Sequence, residues 1–115
     1  LRLGLISNWS ARLPRLLAAL ELDSAFDFVL GSAAVRCEKP EPAIFRLALE
    51  RVGLDPGSCL HAGDDARCDG VGALACGIAA VLVDHQDRLG ARERELCPVV
   101  GSLGELQDLI LERAA

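Results

Sequence analysis

Three aspartates, Asp64, Asp65 and Asp69, fall within six residues of one another in the stretch His61-Ala62-Gly63-Asp64-Asp65-Ala66-Arg67-Cys68-Asp69-Gly70. Carboxylates this close repel one another unless a cation, a donor or a proton separates them. A hard cation such as Mg²⁺ suits them, because it takes oxygen ligands and keeps waters that a phosphate can replace. Taken singly, Asp64 or Asp65 reads equally well as a helix N-cap; three together are harder to explain as caps. Two further polar groups stand upstream. Ser7 and Asn8 follow an apolar run, and Lys39, the only lysine, precedes a helix opening. Alone, Ser7-Asn8 is also an ordinary turn and Lys39 a solvated charge. Together the hydroxyl and amides could hold phosphate oxygens, the ammonium could neutralise charge on them, and the acids could hold a bridging metal. That is an outline of phosphoryl transfer.

The elements that must position these groups can be read from apolar periodicity. Leu1 to Ile6 predicts a buried strand, and Leu13, Leu16, Leu17 and Leu20 a helix with Pro14 in its first turn. Phe26 to Leu30 predicts a second strand and Gly31 to Glu38 a loop. Pro40 and Pro42 open a helix with Phe45, Ala48, Leu49 and Val52 on its apolar face, ended by Gly53 and Pro56. A third strand reaches Ala62, and a helix follows from about Ala66 to Ala75. Ile78 to Val83, an unbroken apolar run, predicts a parallel strand covered on both faces. Asp84 to Pro98, charged and aperiodic, reads as a solvated loop. The last helix starts at Ser102 with Glu105 completing a capping box and Leu103, Leu106, Leu109 and Ile110 facing inward. Four strands alternating with helices select an α/β fold, a Rossmann-like parallel sheet with helices on both faces. Asp64 and Asp69 then lie where a strand hands over to a helix, the ligand-binding end of such a sheet.

Composition narrows the function classes. The 115 residues suit one domain, and 51% are hydrophobic with only three Phe and one Trp, so the core is aliphatic. A net charge of −5 without a basic patch argues against nucleic acid or an anionic membrane as partner. No apolar run approaches a membrane span, and no signal-peptide pattern opens the chain, which places the expected protein in the cytoplasm. Five cysteines without a Cys-x-x-Cys pair suggest neither a zinc site nor a disulfide framework. His61 and His85 have no partners at metal-ligand spacing and read as core or surface residues. Gly70-Val71-Gly72 lacks the third glycine of a dinucleotide fingerprint.

Leu5-Ile6-Ser7-Asn8, then Glu38-Lys39-Pro40-Glu41-Pro42-Ala43-Ile44-Phe45, then His61-Ala62-Gly63-Asp64-Asp65 with Asp69 resemble motifs two, three and four of the haloacid dehalogenase-like (HAD) hydrolase superfamily. Within it, Ile6-Ser7-Asn8-Trp9 and Arg67-Cys68-Asp69 look most like the group of haloacid dehalogenase-like hydrolase domain-containing protein 3. The resemblance implies that Ser7 and the Asn8 amide bind phosphate and that Lys39 is catalytic, stabilising charge on the nucleophile and the transferring phosphoryl. It implies that Asp64 ligates Mg²⁺ and that Asp69 belongs to the metal site, orienting a bound water or Lys39. Dehalogenases of the superfamily work without metal and resemble this motif with Ser at position 64. The implied activity is therefore a phosphatase acting on a small phosphorylated substrate.

The resemblance also marks departures. The first motif, which supplies the nucleophilic and acid/base aspartates, has no match here. The chain, which has no Met, is expected to be the C-terminal part (residues 1–115) of a HAD-type core domain, with that motif and the helical cap domain upstream. Its sheet should then lack a central strand between the strand ending at Ser7 and the one ending at Ala62. Two unpaired edges would face the gap, so the chain alone should be catalytically incompetent and poorly stable unless those strands pair directly. The alternative is a non-catalytic phosphate-binding or interaction module that has lost motif one. A metal-free dehalogenase is a second rival. Glu21 and Arg36 stand where the family commonly has Gly, which puts local loop geometry in question.

Overall fold

The first three strands each end on a small residue, Ser7, Gly31 or Gly63. In a computed structural model, which describes residues 1–114, β1 (Gly4–Ser7) pairs in parallel with β2 (Phe28–Gly31), from Gly4 opposite Phe28 to Ser7 opposite Gly31. A second parallel sheet has the order β3 (Leu60–Gly63), β4 (Ala79–Val83), β5 (Val99–Val100). Between the strands lie α1 (Leu13–Ala19), α2 (Ser32–Val35), α3 (Pro42–Val52), α4 (Gly72–Ala75) and α5 (Ala91–Arg94), and α6 (Leu103–Ala114) follows the last strand. This is the expected α/β architecture of parallel strands and helices. Among the described residues β1 and β3 do not pair with each other, so each keeps one open edge.

What joins the two sheets is α3. Pro42 occupies its first turn, where no amide partner is lost, and Gly53 at φ +68° caps its end by donating its N–H to the Leu49 carbonyl. The helix buries Ile44, Phe45 and Ala48 in one cluster with Leu30 of β2, Ala80 of β4, and Ala73 and Ile78. Both sheets thus contribute to a single aliphatic core. Gly72 makes this packing close: a Cβ there would come within 2.7 Å of the Phe45 ring and 3.1 Å of the Pro40 Cα. β4 is the most completely covered strand, as its unbroken apolar run requires.

Several expectations are corrected. The segment Gly31 to Glu38 is not all loop: Ser32–Val35 form α2, closed by Arg36 at φ +60°. The helix expected from Ala66 begins as a π-helical turn, Ala66–Val71, before α4. Asp84 to Pro98 is ordered by three carboxylates, with Asp87 accepting from Arg94 Nη2 (2.7 Å) and Glu93 from the Gly90 N–H (3.0 Å). Asp84 accepts from the Arg88 and Leu89 N–H groups (2.9 and 3.0 Å) and from Arg94 Nη2 (2.8 Å), which fastens α5 back onto the end of β4. A fifth strand escapes periodicity because it is only two residues long. In α6 the Ser102 hydroxyl does accept the Glu105 N–H (3.1 Å), but the Glu105 carboxylate accepts from the Gly101 N–H rather than that of Ser102. Leu103, expected inward, is 65% exposed, and Leu16 of α1 and Leu20 just after it are also exposed, leaving Leu13 and Leu17 as the buried pair. Among the described residues no helix is long and apolar enough to cross a membrane.

Candidate active site

The C-terminal ends of β1 and β3 are bridged by the segment that enters α3. Asn8, the first residue after β1, grips that segment in two directions. Its Oδ1 accepts the Lys39 N–H (2.8 Å), and its Nδ2 donates to the Lys39 carbonyl (2.9 Å). Such a two-point clamp fixes the backbone at Lys39 and so the origin of its side chain. Lys39 then reaches across to the turn that follows β3, where its ammonium donates to Asp69 Oδ1 at 2.6 Å. Both groups are sheltered, with side chains 13% and 3% exposed.

Asp69 is held from three sides. Lys39 Nζ and His61 Nε2 (2.9 Å) both meet Oδ1, and the Asp65 N–H donates to Oδ2 (3.0 Å). Burial pushes the carboxyl pKa upward, but the His61 and Lys39 bonds, the Asp65 amide and the Lys39 charge outweigh it, lowering it from 3.8 to about 2. Asp69 is therefore a carboxylate at neutral pH, and His61 Nε2 must carry the proton it shares with Oδ1. The reach of Asp69 depends on Gly63, because a Cβ at that position would overlap the carboxylate itself.

The remaining expected residues divide. Ser7 closes β1 beside Asn8, partly buried. Asp65 takes the capping role: its Oδ1 accepts the Cys68 N–H at 2.7 Å. Asp64 is exposed and joins no ion pair among the described residues. It is the carboxylate here whose oxygens stay open to a hard cation. The donor set fits magnesium in part, since Asp69 is engaged within the protein and no group of three or more ligand-type side chains gathers among the described residues. Asp64 would bind directly and Asp69 at one remove, with the other ligands coming from solvent, substrate or residues outside this chain. Cys68 lines the same corner, its Sγ 3.5 Å from the Lys39 carbonyl; burial and the Asp65 carboxylate push its thiol pKa upward, so it stays a thiol.

His61 is the residue that sequence reasoning misses. Read as a core or surface histidine, it instead shares Asp69 with Lys39. The available signal is strand alternation: His61 and Gly63 are two apart, so they face the same side of β3, and a glycine beside a histidine leaves room for a third group.

Comparison with known proteins shows the family. Residues 1–77 match the family model for haloacid dehalogenase-like hydrolases. Haloacid dehalogenase-like hydrolase domain-containing protein 3 of Mus musculus is 40% identical over 110 residues, taking in 96% of this chain and 44% of that protein. A HAD phosphatase from Thermococcus onnurineus superposes with a TM-score of 0.87 at 28% identity, over 95% of this chain and 50% of the other. A 2-haloacid dehalogenase from Pseudomonas syringae does so with 0.85 at 30% identity, over 99% and 47%. The chain thus spans less than half the length of the curated relatives it matches. With its motifs, its fold and its relatives in agreement, the chain belongs to the haloacid dehalogenase-like hydrolase family.

Proposed function

We propose that this chain is the part of a magnesium-dependent phosphatase that binds and neutralises the phosphoryl group of a small phosphorylated substrate. The observation that carries this reading is Lys39, clamped by Asn8 at one strand end and paired with Asp69 at the other. An ammonium has three donors, and Asp69 takes one, leaving two for phosphoryl oxygens or a nucleophile. Lys39 is then the catalytic cation, holding charge as it develops in transfer. Ser7 would donate its hydroxyl to a phosphoryl oxygen with help from the Asn8 N–H. Asp64 would hold Mg²⁺, which when bound neutralises phosphoryl oxygens as a Lewis acid. Asp69 would orient Lys39 or a metal-bound water. The nucleophilic carboxylate, implied by the family as an aspartate that becomes phosphorylated, would lie outside residues 1–115, and this chain alone would not turn over.

A dehalogenase among the structural relatives makes the choice of reaction depend on the site, and Asp64 favours phosphatase. The test is a panel of small phosphate esters offered to the full natural protein that contains this chain, with Mg²⁺ and with a chelator. Phosphate release that the chelator and Asp64→Asn both abolish is expected. Chloride release from 2-haloacids, indifferent to chelator, would replace this reading with dehalogenation. Phosphate binding without turnover would favour the non-catalytic module.

A further inference from the structure

We propose that His61 is a positioning residue for Lys39, acting through Asp69: its Nε2–H, together with the space left by Gly63, seats the carboxylate so that Oδ1 faces the ammonium. The proposal rests on the phosphatase reading for its effect on turnover, though not for its geometry.

Asp69 belongs to a turn that folds back over the end of β3, and a buried carboxylate has no preferred direction of its own there. Three donors give it one. The Asp65 N–H fixes Oδ2, and the two lone pairs of Oδ1 are divided between His61 and Lys39. His61 comes from the strand and Lys39 from the segment before α3, so the histidine defines where the lysine must point. Its own ring is held in turn. Phe45, fully buried on α3, meets it edge to face, with centroids 5.2 Å apart and planes at 89°. On the same face of β3, two residues on, Gly63 leaves the volume that the carboxylate fills. Removing the His61 donor frees Oδ1 to turn away; adding a methyl at Gly63 displaces the carboxylate from below. Either change takes the partner from Lys39 without touching Lys39 itself.

The readout is the rate at which Lys39 is reductively methylated in the full natural protein, followed by mass spectrometry on the peptide that carries it, with folding checked by circular dichroism. Removing a hydrogen bond to a charged group should loosen the ammonium, so His61→Leu is expected to raise the rate about tenfold or more. His61→Gln, whose Nε2 can occupy the place of the ring Nε2–H, should stay within about twofold of wild type. Gly63→Ala should resemble His61→Leu, and it decides the matter if the leucine variant does not fold. Wild-type rates in His61→Leu or in Gly63→Ala overturn the proposal. So does failure of His61→Gln to rescue, which would make the ring's packing on Phe45 its role. In turnover, His61→Leu should lower kcat with KM little changed, and His61→Gln should restore it. A protein that protects Lys39 in this pattern yet releases no phosphate refutes the phosphatase reading and leaves the positioning role standing.

Discussion

Replacing Asp69 by Asn keeps the shape of the most heavily engaged side chain and removes its charge. The carboxylate accepts on both oxygens, from Lys39 and His61 on one and from the Asp65 N–H on the other. An amide has one acceptor oxygen, so in either orientation its NH₂ faces a donor, at a cost of about 1–3 kcal/mol. The lost charge adds a part that depends on pH. The carboxyl is held at about 2 against an ordinary 3.8, and at about 1.4 kcal/mol per pH unit the ionised form stabilises the fold by about 2.5 kcal/mol. Because the folded value is the lower one, this contribution is complete above the unfolded value and disappears as pH falls through the folded one. Urea unfolding of wild type and Asp69→Asn should thus show a stability difference that narrows by about 1.5 kcal/mol between about pH 5 and about pH 2.5. Other carboxylates titrate alike in both proteins and cancel. A difference that stays constant over that range would refute the ionised, triply held Asp69.

Other expectations follow from single residues. Glu21 and Arg36 adopt φ of +58° and +60°, the left-handed region that favours glycine, so Glu21→Gly and Arg36→Gly should each stabilise by about 0.5–1 kcal/mol in urea titrations. Asp64→Asn should leave stability within about 0.5 kcal/mol, since the exposed side chain forms no ion pair among the described residues. Calorimetry should show its Mg²⁺ affinity reduced about tenfold or more, because loss of even an outer partner of a metal costs about 10–100-fold.

Legibility in the sequence follows the range over which each feature is specified. Ile78 to Val83 declares a doubly covered strand by composition alone, and Pro42 with Gly53 marks both ends of α3, because a single residue's backbone constraints suffice. Spacing along the chain makes Asn8, Lys39, Asp64 and Asp69 candidates together, although each alone has an ordinary reading. It cannot show that Asn8 acts on the Lys39 backbone through its side chain, since that contact spans 31 residues. β5 is invisible because two residues carry no period, and its partner β4 supplies its reason to exist. The order of the segment after β4 likewise hangs in part on Asp84 collecting amides and Arg94 from up to ten residues away. Glu21 and Arg36 are instructive in the opposite direction. The family's habit of glycine at both places signals the positive φ that each then adopts at some cost.

The most direct test is the effect of Lys39→Met on kcat for phosphate release by the full natural protein, at saturating substrate and Mg²⁺ and with the folded fraction verified. Methionine retains most of the apolar stem and removes the ammonium. If Lys39 neutralises the transferring phosphoryl group, kcat should fall by about 10²–10³-fold while the fold persists. A folded Lys39→Met protein that turns over at close to the wild-type rate would show that the centre built by Asn8, Lys39 and Asp69 is structural, and that the chemistry lies elsewhere.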